Sequence, residues 1–163
     1  MTEVIAVKKF GLIGLVVCAT VTTLSADIGP PIDVGARAKG AREIVVATVV
    51  EVESVFAVSD HGDELIVSHG LLQVHETMKG AHAAAFQIVV EGGTVGDLRL
   101  EVSDMPTLEP GDRAVFFLDR TPSGTRQLHR RGLGMLKLDS NNRVLGNGLT
   151  LDEVRRAVQS AGQ

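Results

Sequence analysis

The five histidines of this sequence are the residues whose chemistry most readily suggests a metal site, because imidazole nitrogen is a common ligand of zinc. His69 and His75 fall in one predicted strand, so their side chains would lie about 20 Å apart at roughly 3.3 Å per residue. A shared ion would need both rings within about 2 Å of it. His61 and His82 fall in turns at opposite ends of that strand, and His129 stands alone among arginines. The spacing therefore predicts no metal site.

Residues for covalent or acid–base catalysis form no coherent set either. No Gly-x-Ser-x-Gly sequence follows a predicted strand. Glu51 and Glu53 form an acidic pair on a strand face that is predicted to be solvated, which does not suggest a glycosidase site. The glycines from Gly92 to Gly96 precede a strand, whereas a phosphate-binding loop precedes a helix. We therefore predict a protein without a cofactor that is not an enzyme, with a hydrolase of unrecognised type as the alternative.

Arginines in the last third of the chain are the best candidates for a binding surface. The net charge is −10 from Asp27 to Asp112 and +5 from Arg113 to Gln163. Such a basic surface could bind an anionic glycan, an anionic lipid or an acidic protein. Single-stranded nucleic acid is not an expected partner, because its bases stack on aromatic rings and the chain has no Trp and no Tyr. Alternatively, the acidic and basic parts pair with each other in the fold. The candidate residues are Arg126, Arg130, Arg131, Arg143, Arg155 and Arg156.

Residues 1–26 are predicted to be a secretory signal peptide. Lys8 and Lys9 precede the apolar run Phe10–Ala19, and small residues lead to Ala26, after which we predict cleavage. The run is short for a transmembrane helix, which needs roughly 20 residues. Cleavage would remove Cys18, the only cysteine, and with it any disulfide or thiol chemistry. We expect a periplasmic or secreted protein, with anchoring by an uncleaved leader as the alternative.

Alternation of apolar and polar residues predicts antiparallel strands in the following part of the chain. Glu43 to Val58 and Glu64 to Met78 are predicted to form a long hairpin. Gly70, in the middle of the second strand, suggests a bend or bulge. In the first strand, Val50 and Phe56 are predicted to share the apolar face.

The stretch from Glu91 to Arg120 is predicted to hold the central turns and strands. Leu98 to Val102 alternates with charged residues, whereas Ala114 to Leu118 is apolar on both faces and predicts a strand that is covered on both sides. Shorter strands are predicted over 126–131 and 134–139. The residues that the turns require are Gly92, Gly93, Gly96, Pro110 and Gly111.

The end of the chain is predicted to be a helix over 151–160, because Thr150 and Glu153 fit a capping box. Residues 27–36 contain two prolines and two glycines and are predicted to be an irregular lead-in. Residues 37–163 then form one mainly β domain that includes the helix. These elements predict a small antiparallel OB-like or Greek-key barrel with the C-terminal helix packed on it, and a β-sandwich is the alternative.

Four segments between about residues 36 and 140 resemble a largely uncharacterised group of small bacterial exported proteins. They are ARAKGAREIVVATVVEVESVF, VHETMKG, VVEGGTVGDLRLEVSDMPTLEPGDRAVFFLDR and GLGMLKLD. The layout of the group is similar to OB-like modules of tissue inhibitors of metalloproteinases, which implies an OB-like barrel and an extracytoplasmic location. The reactive amino-terminal cysteine of those inhibitors has no counterpart in the predicted mature chain, so the resemblance does not imply metal-chelating inhibition.

These observations predict an exported, non-catalytic binding or interaction module. Its expected partner is an extracytoplasmic protein or an anionic glycan or lipid surface. The alternative is a protease-inhibitor-like module, in which residues 27–30 or the hairpin tip at residues 60–63 would enter a protease cleft.

Overall fold

The computed structural model describes residues 33–58 and 62–163. In these ranges the helices are α1 (Val34–Gly40) and α2 (Leu151–Ala161), and a 3₁₀ turn covers Arg131–Gly134. The strands are β1 (Glu43–Val58), β2 (Glu64–Lys79), β3 (Ala85–Glu91), β4 (Gly93–Val95), β5 (Leu98–Leu100), β6 (Arg113–Arg120), β7 (Arg126–Leu128) and β8 (Met135–Lys137).

Five strands form a partly closed barrel. β1 pairs antiparallel with β2 and, through its first six residues, with β6, while β2 pairs with β3 and β6 pairs with β7. The ring closes where β3 and β7 pair in parallel at Val89 and Gln127. β8 continues the sheet on β6, and β4 and β5 form a separate hairpin. The predicted OB-like barrel is confirmed, and it takes the place of the alternative sandwich of two packed sheets.

β6 is buried on both faces because its consecutive residues are apolar. Phe116 points into the barrel and packs with Leu72 and Ile88. Phe117 points the other way, into a second cluster formed with both helices, where it packs with residues such as Val154. The prediction of a strand covered on both sides is therefore confirmed, and the helices form the outer layer.

The first helix begins inside the segment that was predicted to be an irregular lead-in. The Asp33 side chain accepts a hydrogen bond from the Ala36 N–H (2.8 Å), which satisfies an otherwise unpaired donor of the first turn. Residues 34–36 are therefore helical, and the prediction of an irregular lead-in is wrong for them. Residues 27–32 lie outside the described ranges.

Side chains also hold the ends of the helices. The Lys79 ammonium donates to the carbonyls of Ala38 and Ala41 (2.7 Å each) at the carboxyl end of α1, where positive charge is favourable. At α2 the predicted capping box is present: the Glu153 carboxylate accepts from the Thr150 N–H (2.8 Å), and Thr150 Oγ1 accepts from the Glu153 N–H (3.3 Å). The helix ends one residue later than predicted.

The glycines after β3 have different structural roles. Gly92 and Gly96 have φ values of 100° and 59°, which glycine adopts without strain, and Gly96 opens the two-residue turn between β4 and β5. Gly93, which was predicted to belong to a tight turn, is the first residue of β4. A Cβ atom at Gly93 would collide with the hydroxyls of Ser54 and Ser68, so glycine lets β4 approach the β1–β2 hairpin closely.

Pro110 and Gly111 lie in a turn that is closed by the Asp112 N–H and the Glu109 carbonyl (3.0 Å). Gly111 has a φ of 94° and donates its N–H to the Val49 carbonyl (2.8 Å). The turn is therefore attached to β1 at the point where β1 stops pairing with β6.

β1 contains a bulge at Val50. Val49 pairs opposite Leu72 and Glu51 opposite Leu71, so Val50 has no partner in the ladder. Val49 is buried, whereas Val50 is exposed. The prediction that Val50 belongs to the apolar face is therefore wrong, because the extra residue reverses the alternation at this point.

Gly70 is a site of close packing and not a bulge. It pairs opposite Val52 without a shift in register, so the prediction of a bulge at this position is wrong. A Cβ atom at Gly70 would lie 2.6 Å from Leu108 Cδ1. Glycine is needed because the buried Leu108 side chain packs directly against the β2 backbone.

We expect Gly70→Ala to lower the free energy of unfolding by about 1–3 kcal/mol, because the new methyl group overpacks the core against Leu108. Urea denaturation would measure the change. In a Leu108→Ala background the same substitution should have a much smaller effect. An equal loss in both backgrounds would mean that the contact with Leu108 is not the reason for the glycine.

Candidate ligand-binding groove

A groove of about 650 Å³ lies on the outer face of β2, β3 and β7. Along β2, Leu65 and Val67 alternate with the buried residues Ile66 and Ser68, so they point outward into the groove. Val89 of β3 lines the groove beside them. The floor is therefore mainly aliphatic, since β2 begins with apolar residues on both of its faces.

Two connections border the groove. Ala57 and Val58 belong to the β1–β2 hairpin, and Thr121 and Thr125 belong to the β6–β7 turn. In the barrel these are the loops between the first and second strands and between the fourth and fifth strands. OB-like barrels bind oligonucleotides and oligosaccharides on the face between these loops. The groove thus lies where this architecture commonly binds ligands.

Arg131 is held at the groove by two carboxylates. Its guanidinium contacts Asp104 Oδ2 (2.5 Å) and Glu91 Oε2 (2.9 Å). Hydrogen bonds to Asp104 and Glu91 raise the pKa of Arg131 above its usual value. These contacts neutralise the charge of Arg131 within the protein.

Arg130 lines the same groove and is exposed, but it forms no ion pair with the described carboxylates. Its backbone is left-handed (φ 55°, ψ 39°), and Arg131 follows with a φ of 59°. Each such residue costs about 1–2 kcal/mol relative to ordinary backbone. The conformation is held in place by hydrogen bonds from His129 N–H to the Phe117 carbonyl and from Gly132 N–H to the Asp104 carbonyl (2.8 Å each).

The Asp119 carboxylate, which also lines the groove, contacts His129 Nδ1 (2.7 Å). His129 is therefore not alone among arginines, as the sequence suggested. A Cβ atom at Gly40 would lie 2.5 Å from His129 Nε2, so this nitrogen packs against α1. A general base must reach the proton it removes, and this ring position is covered by the helix. The pair joins β6 to the helical layer.

Arg126 lies away from the groove, in a buried ion cluster. The Glu43 carboxylate is 8% exposed and accepts hydrogen bonds from Arg120 Nε (2.6 Å) and Arg126 Nε (2.7 Å). Burial acts to raise the pKa of Glu43, but the bonds from Arg126 and Arg120 outweigh it and lower the pKa. The Arg126 guanidinium also stacks on the Phe86 ring, 4.1 Å from its centre.

The remaining three predicted arginines lie at or near α2. Arg155 binds Glu76 (2.7 Å) and also contacts Asp152. Hydrogen bonding to Glu76 is the main reason that the pKa of Arg155 is raised. Arg143 donates to the Gly148 carbonyl (3.0 Å) and Arg156 to the Asp152 carbonyl (3.4 Å).

The structure therefore divides the six predicted arginines among three places, and only Arg130 and Arg131 line the groove. Several of them pair with acidic residues from the first part of the chain, as the alternative reading of the uneven charge suggested. No local sequence pattern indicates that tertiary pairing separates the six arginines. The aliphatic residues at outward positions of β2 are the signal that could have identified the groove.

Comparisons with known proteins place the chain in no family. No family model matches it, and no curated protein is significantly similar to it. In residues 33–58 and 62–163, no three His, Cys, Asp or Glu side chains are placed to hold a metal ion together. In the same ranges, no helix is long and apolar enough to cross a membrane.

Proposed function

We propose that this protein is an exported, non-catalytic binding module that holds a partner in the groove on the outer face of β2, β3 and β7. The observation that carries the proposal is the aliphatic floor formed by Leu65, Val67 and Val89 between two loops of an OB-like barrel. An apolar cleft with a few polar groups at its margin is the usual form of a ligand site.

The chemistry of the groove favours a polypeptide partner. Sugars and bases bind by stacking on aromatic rings, whereas the chain has no Trp or Tyr, and no phenylalanine within residues 33–58 and 62–163 lines the groove. Aliphatic side chains of an extended segment would bury the floor residues, and the margin offers donors and acceptors in Thr121, Thr125 and Gln127. We therefore favour an extracytoplasmic protein over an anionic glycan or lipid surface.

A photo-cross-linking residue at Val67 is expected to capture a partner from the envelope fraction or the medium of the cells that make the protein. Gln159, exposed on α2, is the matched control position and should capture nothing specific. The additional change Leu65→Glu should abolish the cross-link at Val67, because it places a charge on the aliphatic floor.

Mass spectrometry of the recovered chain should show cleavage after Ala26 if the protein is exported as proposed.

Two outcomes would contradict the groove as the binding site. One is a cross-link of equal yield from Val67 and Gln159, and the other is a cross-link at Val67 that Leu65→Glu does not reduce. A protease as the captured partner would favour the inhibitor-like alternative. That alternative depends on residues 27–30 and 60–63, of which the structure describes only Gly62 and Asp63.

A further inference from the structure

Two arginines from distant parts of the chain border the same short segment beside the groove. Arg37 of α1 donates from Nη1 to the Leu133 carbonyl (2.7 Å). Arg130 precedes that segment in the chain. Two shallow depressions, of about 370 and 480 Å³, share Gly132 and Leu133, and Arg37 lines the first while Arg130 lines the second.

No carboxylate in the described ranges forms an ion pair with either Arg37 or Arg130. Burial and then the charge of Arg130 lower the pKa of Arg37, while the charge of Asp33 has a smaller effect in the opposite direction. The Asp33 carboxylate is itself engaged by the Ala36 N–H. The two guanidinium groups therefore repel each other with little compensation.

The neighbouring arginines have carboxylate partners. Arg120 and Arg126 share the Glu43 carboxylate, and Arg131, the neighbour of Arg130, contacts both Glu91 and Asp104. Arg37 and Arg130, in contrast, have no carboxylate partner in the described part of the chain.

The fold holds the backbone of both residues in position. Arg130 has left-handed backbone, which is unfavourable for a residue with a side chain. On the other side, α1 is docked by the Lys79 ammonium at its carboxyl end and by the packing of His129 against Gly40. The hydrogen bond from Arg37 Nη1 to the Leu133 carbonyl also fixes that side chain.

We propose that Arg37 and Arg130 form a site for one anionic group, a carboxylate, phosphate or sulfate, between α1 and the segment that follows β7. An anion between the guanidinium groups would neutralise both and could accept hydrogen bonds from each planar fork. This proposal rests on the proposed function, because Arg130 also lines the groove. The anion that binds between the two arginines would be an acidic group of the protein that occupies the groove. The affinity of the site for a small anion does not depend on that partner.

The test is a titration of the full chain with sodium sulfate, sodium phosphate and sodium acetate, each at constant ionic strength set with sodium chloride. Nuclear magnetic resonance would follow the Nε–H signals of Arg37 and Arg130 and the Leu133 amide. We expect saturable chemical-shift changes at these three groups. The anion that binds with the highest affinity identifies the chemical class of the acidic group. Arg130→Gln should weaken the binding at least tenfold. Arg99→Gln, which removes the same charge from an exposed ion pair with Glu101 on β5, should leave it unchanged.

Arg130→Gly provides a second, independent variant. Glycine adopts the left-handed backbone without strain, so the thermal midpoint should be no lower than that of the unmodified protein, whereas sulfate binding should be lost. Shifts that do not saturate, or binding that survives both substitutions of Arg130, would overturn the proposal. These outcomes are distinct from failure of the groove, which the cross-link at Val67 reports separately.

Discussion

Glu43→Ala is expected to lower the free energy of unfolding by about 3 kcal/mol, the low end of the range for breaking a buried ion pair. The Glu43 carboxylate is 8% exposed and is shared by Arg120 and Arg126, of which Arg126 is 18% exposed. Removing the carboxylate leaves the largely buried Arg126 guanidinium without its partner. Water can replace only part of the lost hydrogen bonding and charge neutralisation. Glu51→Ala, on the exposed face of the same strand, is the matched control and should change stability little.

The contribution of Glu43 should also depend on pH. Because the pKa of Glu43 is lowered in the folded protein, its stabilisation is complete above the ordinary value of 4.5 and is lost as the pH falls through the lowered value. The difference in unfolding free energy between the unmodified protein and Glu43→Gln should therefore shrink from pH 7 towards pH 3. Urea denaturation across this range would measure it. A difference that is constant with pH would show that folding does not lower the pKa of this carboxylate.

Phe117→Ala is expected to lower the free energy of unfolding by about 3–5 kcal/mol, because the side chain is fully buried and its removal leaves a cavity. Phe117 packs between the barrel and the helices, where it shares a cluster with Leu151 and Val154 of α2. Hydrogen exchange should therefore become faster in α2 than in β2 and β3.

Phe116→Ala is the matched comparison for Phe117→Ala. Its side chain is equally buried but lies inside the barrel, so the loss of stability should be similar. Exchange should then rise in β2 and β3 more than in α2. If both variants loosened α2 equally, the two apolar clusters would behave as one unit, contrary to the separation that β1 and β6 impose.

Local sequence patterns predicted the elements of this fold well where the pattern extends over several residues. The bounds of β1 were predicted correctly from the apolar residues along it. The capping box at Thr150 marked the start of α2. In each case the residues that determine the element lie within one short stretch of chain. Contacts with residues that are distant in the sequence were therefore not needed for the prediction.

Features that depend on distant contacts could not be predicted in this way. The bulge at Val50 arises where β1 leaves β6, and Gly70 is explained by Leu108, which is far along the chain. The left-handed backbone at Arg130 has no local signal, since turn-forming glycine or asparagine is the residue expected at such a position. The separation of the six arginines likewise follows from partners supplied by other strands.

The place of β1 in the barrel has a consequence for how the chain reaches its fold. Ile44 and its neighbours pair on one side with the adjacent β2 but on the other side with Phe117 and the rest of β6, which are synthesised much later. Contacts of such high sequence separation slow folding. Until β6 arrives, the segment from Ile44 to Val50 presents seven uncharged residues, most of them β-branched, on an open strand edge, which is the kind of segment that aggregates. A chain that closes late therefore exposes its first strand for longer, and a chaperone bound to that strand during the interval would protect it from aggregation.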